Sequence, residues 1–247
     1  MTPARKKTFT ADDARSRLTR ILDRLETVHP DAKLDLDFTN PLELLIALIL
    51  AAQARDDLVN KVTVDLFKRY RAAADYATAP QSKLESQIGK INFYRNKAKS
   101  IRNCCKELVE RFDGKVPANL EDLISLPGVG RKTANIVLGN AFGKQAIGVD
   151  THVMRLAQRL GLTKNTDPDK VETDLMAVVP ESRRVRFCHV MQYHGRRICL
   201  AKKPKCPQCV IRSVCPFPHK TPDGHVGNSQ MSRKAGRNEN KRSREGR

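Results

Sequence analysis

The sequence predicts an all-α protein built as two helical lobes. Apolar residues recur at helical spacing in segment after segment. No stretch of useful length alternates as a strand would. The chain has 247 residues and 40% hydrophobic content, enough for one large domain or two small ones. Aromatics make up only 5% and tryptophan is absent, so the core is expected to rest on Leu, Ile, Val and Ala.

Taken in order, residues 1–10 read as a flexible basic arm. Ala11–His29 predicts a helix with Leu18, Ile21, Leu22 and Leu25 on its apolar face. Asp37–Pro41 (DFTNP) breaks the pattern. Leu44–Ala52 (LLIALILAA) is about half the length of a membrane span and predicts a buried core helix. Helical stretches follow at Asp57–Arg71, Pro80–Ile88, Asn96–Phe112, Asn119–Ser125, Arg131–Ala141, His152–Leu160, Pro168–Val179 and Glu181–Arg196. Turn-rich pieces such as DGKVPAN (113–119) separate them. After Ile198 the stretch CLAKKPKCPQCVIRSVCPFP loses the helical period and carries four cysteines and four prolines. It cannot bury much apolar surface, so something else must hold it. The tail 220–247 is polar, basic and rich in Gly, Ser and Asn, and disorder is expected there.

The formal charge is +19, and the 11–219 body keeps +11 of it when both ends are set aside. A polyanion is the natural partner, nucleic acid before membrane. The first residues, MTPARKKTFTADDAR, lack the apolar segment of a secretory signal, so a cytoplasmic, reducing setting is expected. The seven cysteines are then ligands or core residues rather than disulfides. Cys104, Cys105 and Cys188 fall within helical patterns and read as core.

Residues 126–135, LPGVGRKTAN, join two short helical segments. Pro127 stops the first, and Gly128 and Gly130 allow backbone angles that side chains forbid. The result is a helix–hairpin–helix whose N–H groups, at the start of the next helix, form an anion site suited to a DNA phosphate. Such a contact reads no base. Lys132 lies in the first turn of that helix, where the helix dipole and Arg131 both disfavour its ammonium form. That would raise the amine fraction a lysine nucleophile needs. From this stretch alone Lys132 reads equally well as one more phosphate clamp.

Asp150, in GVDTHVMR (148–155), precedes an apolar-periodic run and reads as an N-cap. A capping carboxylate beside a groove can also stabilise an oxocarbenium-like sugar or move protons. Spacing does not show that Lys132 and Asp150 face each other. Cys199, Cys206, Cys209 and Cys215 give C-x6-C-x2-C-x5-C, a metal site that suits either a four-thiolate zinc or an iron–sulfur cluster. Lys202, Lys203 and Lys205 in the first interval could meet phosphates.

LPGVGRKTAN, then VDTH with its aspartate eighteen residues after the lysine, then this cysteine spacing, together resemble the endonuclease III family of DNA glycosylases. The resemblance covers roughly Ala11–Pro218. It implies a six-helix lobe, 36–147, carrying the hairpin, and a second lobe, 11–35 plus 148–219, holding a [4Fe–4S] cluster on the four cysteines. DNA with damaged pyrimidines or abasic sites would lie between them. By the same resemblance Lys132 is the nucleophile that forms a Schiff base with the sugar, Asp150 is the essential carboxylate, and β-elimination cuts the strand. AAQARDDLVN (51–60) matches the segment whose glutamine enters the vacated base position, here Gln53. INFYRNKA (91–98) matches the segment that wedges the opposite strand, here Phe93. Both have plain alternatives, a helix-end polar residue and a core aromatic. His152 reads as a DNA contact or a helix-surface histidine.

The chain departs from the family pattern at Asn92, where glycine is common and where Asn would tolerate positive φ. Arg55 and Asp57 stand where smaller or less charged residues are usual, which bears on the range of damaged bases. The basic tail lies beyond the family core and is expected to add non-specific DNA affinity. The expected protein is a monomer at the nucleoid. Rival readings are a monofunctional mismatch glycosylase of the same fold, which lacks a lysine at position 132, a non-catalytic hairpin DNA-binding module, and a zinc-ribbon binder.

Overall fold

The computed structural model describes residues 11–223; the predicted arm and the tail from 224 onward lie outside them. The described residues carry eleven α-helices and two short 3₁₀ turns, with no strand. The helices are α1 (Ala11–Val28), α2 (Pro41–Ala51), α3 (Asp56–Arg69), α4 (Ala73–Thr78), α5 (Gln81–Gln87), α6 (Tyr94–Phe112), α7 (Leu120–Ser125), α8 (Arg131–Ala141), α9 (Thr151–Arg159), α10 (Pro168–Val178) and α11 (Arg184–Arg197).

The helix starts follow from local chemistry. The Asn40 side chain accepts from Glu43 N–H at 3.0 Å, Pro41 takes the first helical position, and the Glu43 carboxylate returns to Thr39 N–H at 2.6 Å. That is a reciprocal cap, and it starts α2 ahead of the apolar run. Asn119 caps α7 and Asp167 caps α10 through their side-chain oxygens alone.

Two apolar cores form. The first gathers residues between Leu36 and Leu138 around α2, in which Leu44, Leu45, Ile46, Ala47 and Leu50 are fully buried. The second joins Leu18, Ile21, Leu22 and Leu25 of α1 to residues 147–211, with α1 packed on α10 and α11. All four α1 side chains are 0% exposed, and full burial of each is worth about 1.5–3 kcal/mol. Aliphatic residues dominate both cores as expected, with Tyr76 and Phe187 the most deeply buried aromatics.

Helix α4 was not legible in the sequence, so seven helices rather than six fall within 36–147. Six residues make less than two turns and show no period. The Asp75 carboxylate creates the helix by accepting from Arg71 N–H at 2.8 Å and Ala72 N–H at 2.9 Å. It carries Tyr76 onto Tyr70, ring centroids 4.8 Å apart, and packs on α6. Cys104, Cys105 and Cys188 are buried core residues. Burial pushes the Cys104 and Cys188 thiols up to about 12, which keeps them protonated and inert. No helix among the described residues is long and apolar enough to cross a membrane.

Candidate active site

The hairpin forms where α7 ends. Leu126 N–H donates to Leu123 O at 3.2 Å, and Val129 N–H to Leu126 O at 3.1 Å. Val129 is buried and pins the loop to the first core. Gly128 has φ +81°, and a Cβ there would lie 3.0 Å from Ser100 Cβ. Both conformation and space therefore require glycine. Gly130 differs from expectation. Its φ of −89° and ψ of 168° are extended angles that any residue adopts. Apart from its immediate chain neighbours, no described atom lies within 4 Å of where its Cβ would stand. The missing side chain leaves the start of α8 uncovered, and Gly130 caps that helix without any side-chain hydrogen bond.

Lys132 is exposed in the first turn of α8. Arg131 does not crowd it as an isolated charge. Its guanidinium reaches α10 and donates to Glu172 through two hydrogen bonds of 2.9 Å. Asn135 Nδ2 adds a third to the same carboxylate at 2.8 Å and a fourth to Ile147 O at 3.0 Å. The hairpin helix is thereby tied to α10 and to the chain at Ile147.

The chain after α8 returns past Lys132. A Cβ on Gly148 would stand 2.8 Å from Ile136 Cγ1 and 3.4 Å from Lys132 O. Only a residue without a side chain lets this segment run so close to α8, and two residues later comes Asp150. As expected it caps α9: its Oδ1 accepts Val153 N–H at 2.7 Å. Lys132 and Asp150 line one cleft of about 950 Å³, together with Gln53, His152, Gln192 and Arg196.

Gln53 is exposed between α2 and α3 with φ +54°, a conformation that is costly for a residue with a side chain. Beyond it, Arg55 and Asp57 form an exposed bidentate pair at 2.9 and 2.8 Å. Arg196 bridges Asp35 at 2.5 Å and Asp56 at 3.1 Å, and Tyr193 Oη donates to Asp35 at 2.5 Å. These contacts join α11 to the start of α3 along the cleft wall. His152 is half-buried, its Nδ1 3.1 Å from Arg155 Nη2, and Arg155 donates onward to Gly195 O and Cys199 O at 3.0 Å each. Burial is the main cause holding the His152 imidazole below its usual range; Asp150 opposes this and Arg155 adds to it.

Phe93 does not line the cleft. It is 61% exposed, so it is not a core aromatic, and it caps α6 with φ +58°. The positive φ expected at Asn92 falls on Phe93 instead. The side chains next to both turns thus face outward while their backbones are constrained.

The four half-buried cysteines after α11 stand apart from the cleft. Burial pushes the Cys209 thiol up to about 11, with Cys215, Cys199 and Cys206 contributing, so the four lie within electrostatic reach of one another. Among the described residues no three side chains are closed up tightly enough to hold a metal ion. The donor set nonetheless fits a thiolate-bound group. Arg159 Nη1 lies 3.1 Å from Cys199 Sγ, and His194 Nε2 lies 3.4 Å from Cys209 Sγ. Positive or N–H groups at these positions would support thiolates. Arg159 also donates to Leu200 O and Ala201 O and covers the Phe217 ring at 4.8 Å. The start of the expected tail belongs to this loop: Thr221 Oγ1 donates to Pro204 O at 2.7 Å and accepts from Cys206 N–H at 3.2 Å.

Sequence reasoning missed Glu172, Arg155, Arg159 and Lys97. All four act on groups far along the chain; Glu172 and Lys97 left one local trace, each being the lone charge among the buried positions of its helix.

Residues 46–181 match the family described as HhH-GPD superfamily base excision DNA repair protein. Endonuclease III of Synechocystis is 48% identical over 203 residues, covering 82% of this chain and 93% of the relative. Endonuclease III of Bacillus subtilis is 43% identical over 195 residues, covering 78% and 89%. A solved structure of a trapped endonuclease III–DNA covalent intermediate, an estranged-adenine complex, superposes with a TM-score of 0.78 at 43% identity, covering 82% of this chain and 96% of that one. On this fold, with the hairpin and the cleft in these positions, the chain belongs to the HhH-GPD superfamily of base excision DNA repair proteins and, within it, to the endonuclease III family.

Proposed function

We propose that this chain is a base-excision DNA glycosylase with AP lyase activity that removes oxidised pyrimidines from duplex DNA. The observation that carries the reading is the shared cleft: Lys132 from the start of α8 and Asp150 from the start of α9 both line it, with Gln53 on its wall. The covalent DNA intermediate trapped for a similar endonuclease III supports it.

In this reading the Lys132 amine attacks C1′ of the damaged nucleotide. The C1′–N bond breaks and the base leaves with a proton. The sugar ring opens, giving a Schiff base between Nζ and C1′. Removal of the C2′ proton then expels the 3′ phosphate by β-elimination. Asp150 spends one oxygen on the α9 cap. Its charge stabilises the oxocarbenium-like sugar and its carboxylate relays protons. The uncovered start of α8, at Gly128 and Gly130, receives a backbone phosphate. The damaged base leaves the stack, which costs a few kcal/mol; Gln53 fills the gap, Phe93 wedges the opposite strand, and His152 contacts DNA beside Asp150.

Cys199, Cys206, Cys209 and Cys215 would hold a [4Fe–4S] cluster, which supplies the cross-link that folds the Ile198–Pro218 segment. The two apolar cores support a division into a hairpin lobe, 36–147, and a cysteine lobe, 11–35 with 148–219. The protein acts on cellular DNA as a monomer.

Borohydride trapping on a thymine-glycol or abasic duplex tests the mechanism, with wild type and Lys132→Ala compared once both are folded and loaded. An adduct with wild type alone is expected. Tight binding without an adduct would leave a monofunctional glycosylase or a plain hairpin binder. Absorbance at about 400 nm with about four irons per chain separates the cluster from zinc.

A further inference from the structure

Lys97 sits on α6 and is only 7% exposed. Burying an ammonium costs several kcal/mol unless its donors are satisfied. Two of them are: Nζ donates to Leu50 O at 2.8 Å and to Ala52 O at 2.6 Å. These carbonyls close the C-terminal end of α2, where a cation is favoured by the helix dipole. Ala54 N–H takes the carbonyl between them, Ala51 O, at 3.0 Å. Gln53 lies inside this turn with φ +54°.

The same residue also ends a second turn. Lys97 N–H donates to Phe93 O at 3.1 Å, closing the first turn of α6 over Phe93, which has φ +58°. Left-handed backbone at a residue with a side chain costs about 1–3 kcal/mol and persists only where the surroundings over-determine it. Lys97 is common to both strained turns, through its side chain at one and its backbone at the other. The two segments it joins are otherwise separated by forty residues of chain.

We propose that Lys97 is the positioning residue that locks the Gln53 turn and the Phe93 turn into one rigid unit, so that both side chains enter the duplex together. This rests on the reading of Gln53 and Phe93 as inserting residues. Lys97 does not itself line the cleft and lies behind its wall, so its removal should spare the chemistry and impair extrusion of the base. A residue that merely stabilised the fold would affect every substrate alike.

The test compares Lys97→Met with wild type, both carrying their metal centre. Three quantities are read: single-turnover excision of thymine glycol from a duplex, the fluorescence change of 2-aminopurine opposite the lesion, and borohydride trapping on single-stranded abasic DNA, which needs no extrusion. Duplex excision should fall about tenfold or more, since ångström-scale misplacement costs that much, and the fluorescence change should shrink with it. Single-stranded trapping should stay within about twofold of wild type. In a Gln53→Ala, Phe93→Ala background the Lys97→Met change should add less than about twofold. Equal loss on both substrates, or full multiplication with the double substitution, would overturn the proposal. If Gln53→Ala and Phe93→Ala leave duplex excision unchanged, the insertion reading falls and this proposal falls with it. If those substitutions matter and Lys97→Met does not, Lys97 alone is misassigned. Where Lys97→Met does not fold, Lys97→Arg keeps the charge but displaces the turn, and the same duplex-specific loss is expected.

Discussion

The Glu172 carboxylate grips the Arg131 guanidinium through paired 2.9 Å hydrogen bonds, across forty-one residues of sequence. Glu172 is 8% exposed, whereas the Arg131 side chain is 40% exposed. The pair sits one residue before Lys132 and fixes the start of α8 against α10.

Removing one partner of a fully buried pair costs about 3–5 kcal/mol; Arg131 is partly solvated, so Glu172→Ala should cost about 2 kcal/mol in urea unfolding. Arg131→Ala should cost at least as much, because it leaves the buried Glu172 carboxylate with Asn135 but no counter-ion. The double substitution should fall short of the sum by about 1 kcal/mol. Strict additivity would mean that the pair contributes no coupling.

His189 provides a pH test. Burial is the main cause holding its imidazole below the usual range, with Arg186 adding and Asp35 opposing, and its Nε2 lies 3.0 Å from Asn140 Oδ1. The unfolded chain takes up a proton at about pH 6.5 while the folded chain resists. Stability is therefore full above about 6.5 and declines as pH falls below it. The melting temperature should be lower at about pH 5.5 than at about pH 7.5, and less so for His189→Gln. An equal decline in both proteins would exclude His189 as a source.

Residues 224–247 hold seven basic and two acidic residues. Because Thr221 and Asp223 contact the cysteine loop, truncation should begin at 224 rather than 220. The truncated protein should show a slope of log K against log salt flatter by about one or more. An unchanged slope, measured by fluorescence anisotropy on undamaged duplex, would remove the tail from DNA binding.

What was legible in the sequence was local. LPGVGRKTAN contains its own turn, Asp150 caps the helix that follows it, and LLIALILAA announces a buried helix by composition. Gly130 misled because glycine there serves openness rather than backbone angle. Asn92 misled because a residue permitted at positive φ is not thereby the one that adopts it; the cap of α6 falls on Phe93. The roles of Lys97 and Glu172 were invisible because their partners lie 45 to 47 and 37 to 41 residues away. Only packing brings such pairs together, and no spacing rule reports them.

The second core is assembled from the two ends of the described chain, α1 and residues 147–211. A ribosome builds the first of these long before the second. At about 5–20 residues per second, the stripe of Leu18, Ile21, Leu22 and Leu25 waits on the order of ten seconds for α10 and α11, the helices it packs on, to be made. Until then the nascent polypeptide carries a naked greasy helix ahead of a segment that already has its own interior. The order of synthesis thus leaves α1 without its packing surface until the last helices emerge.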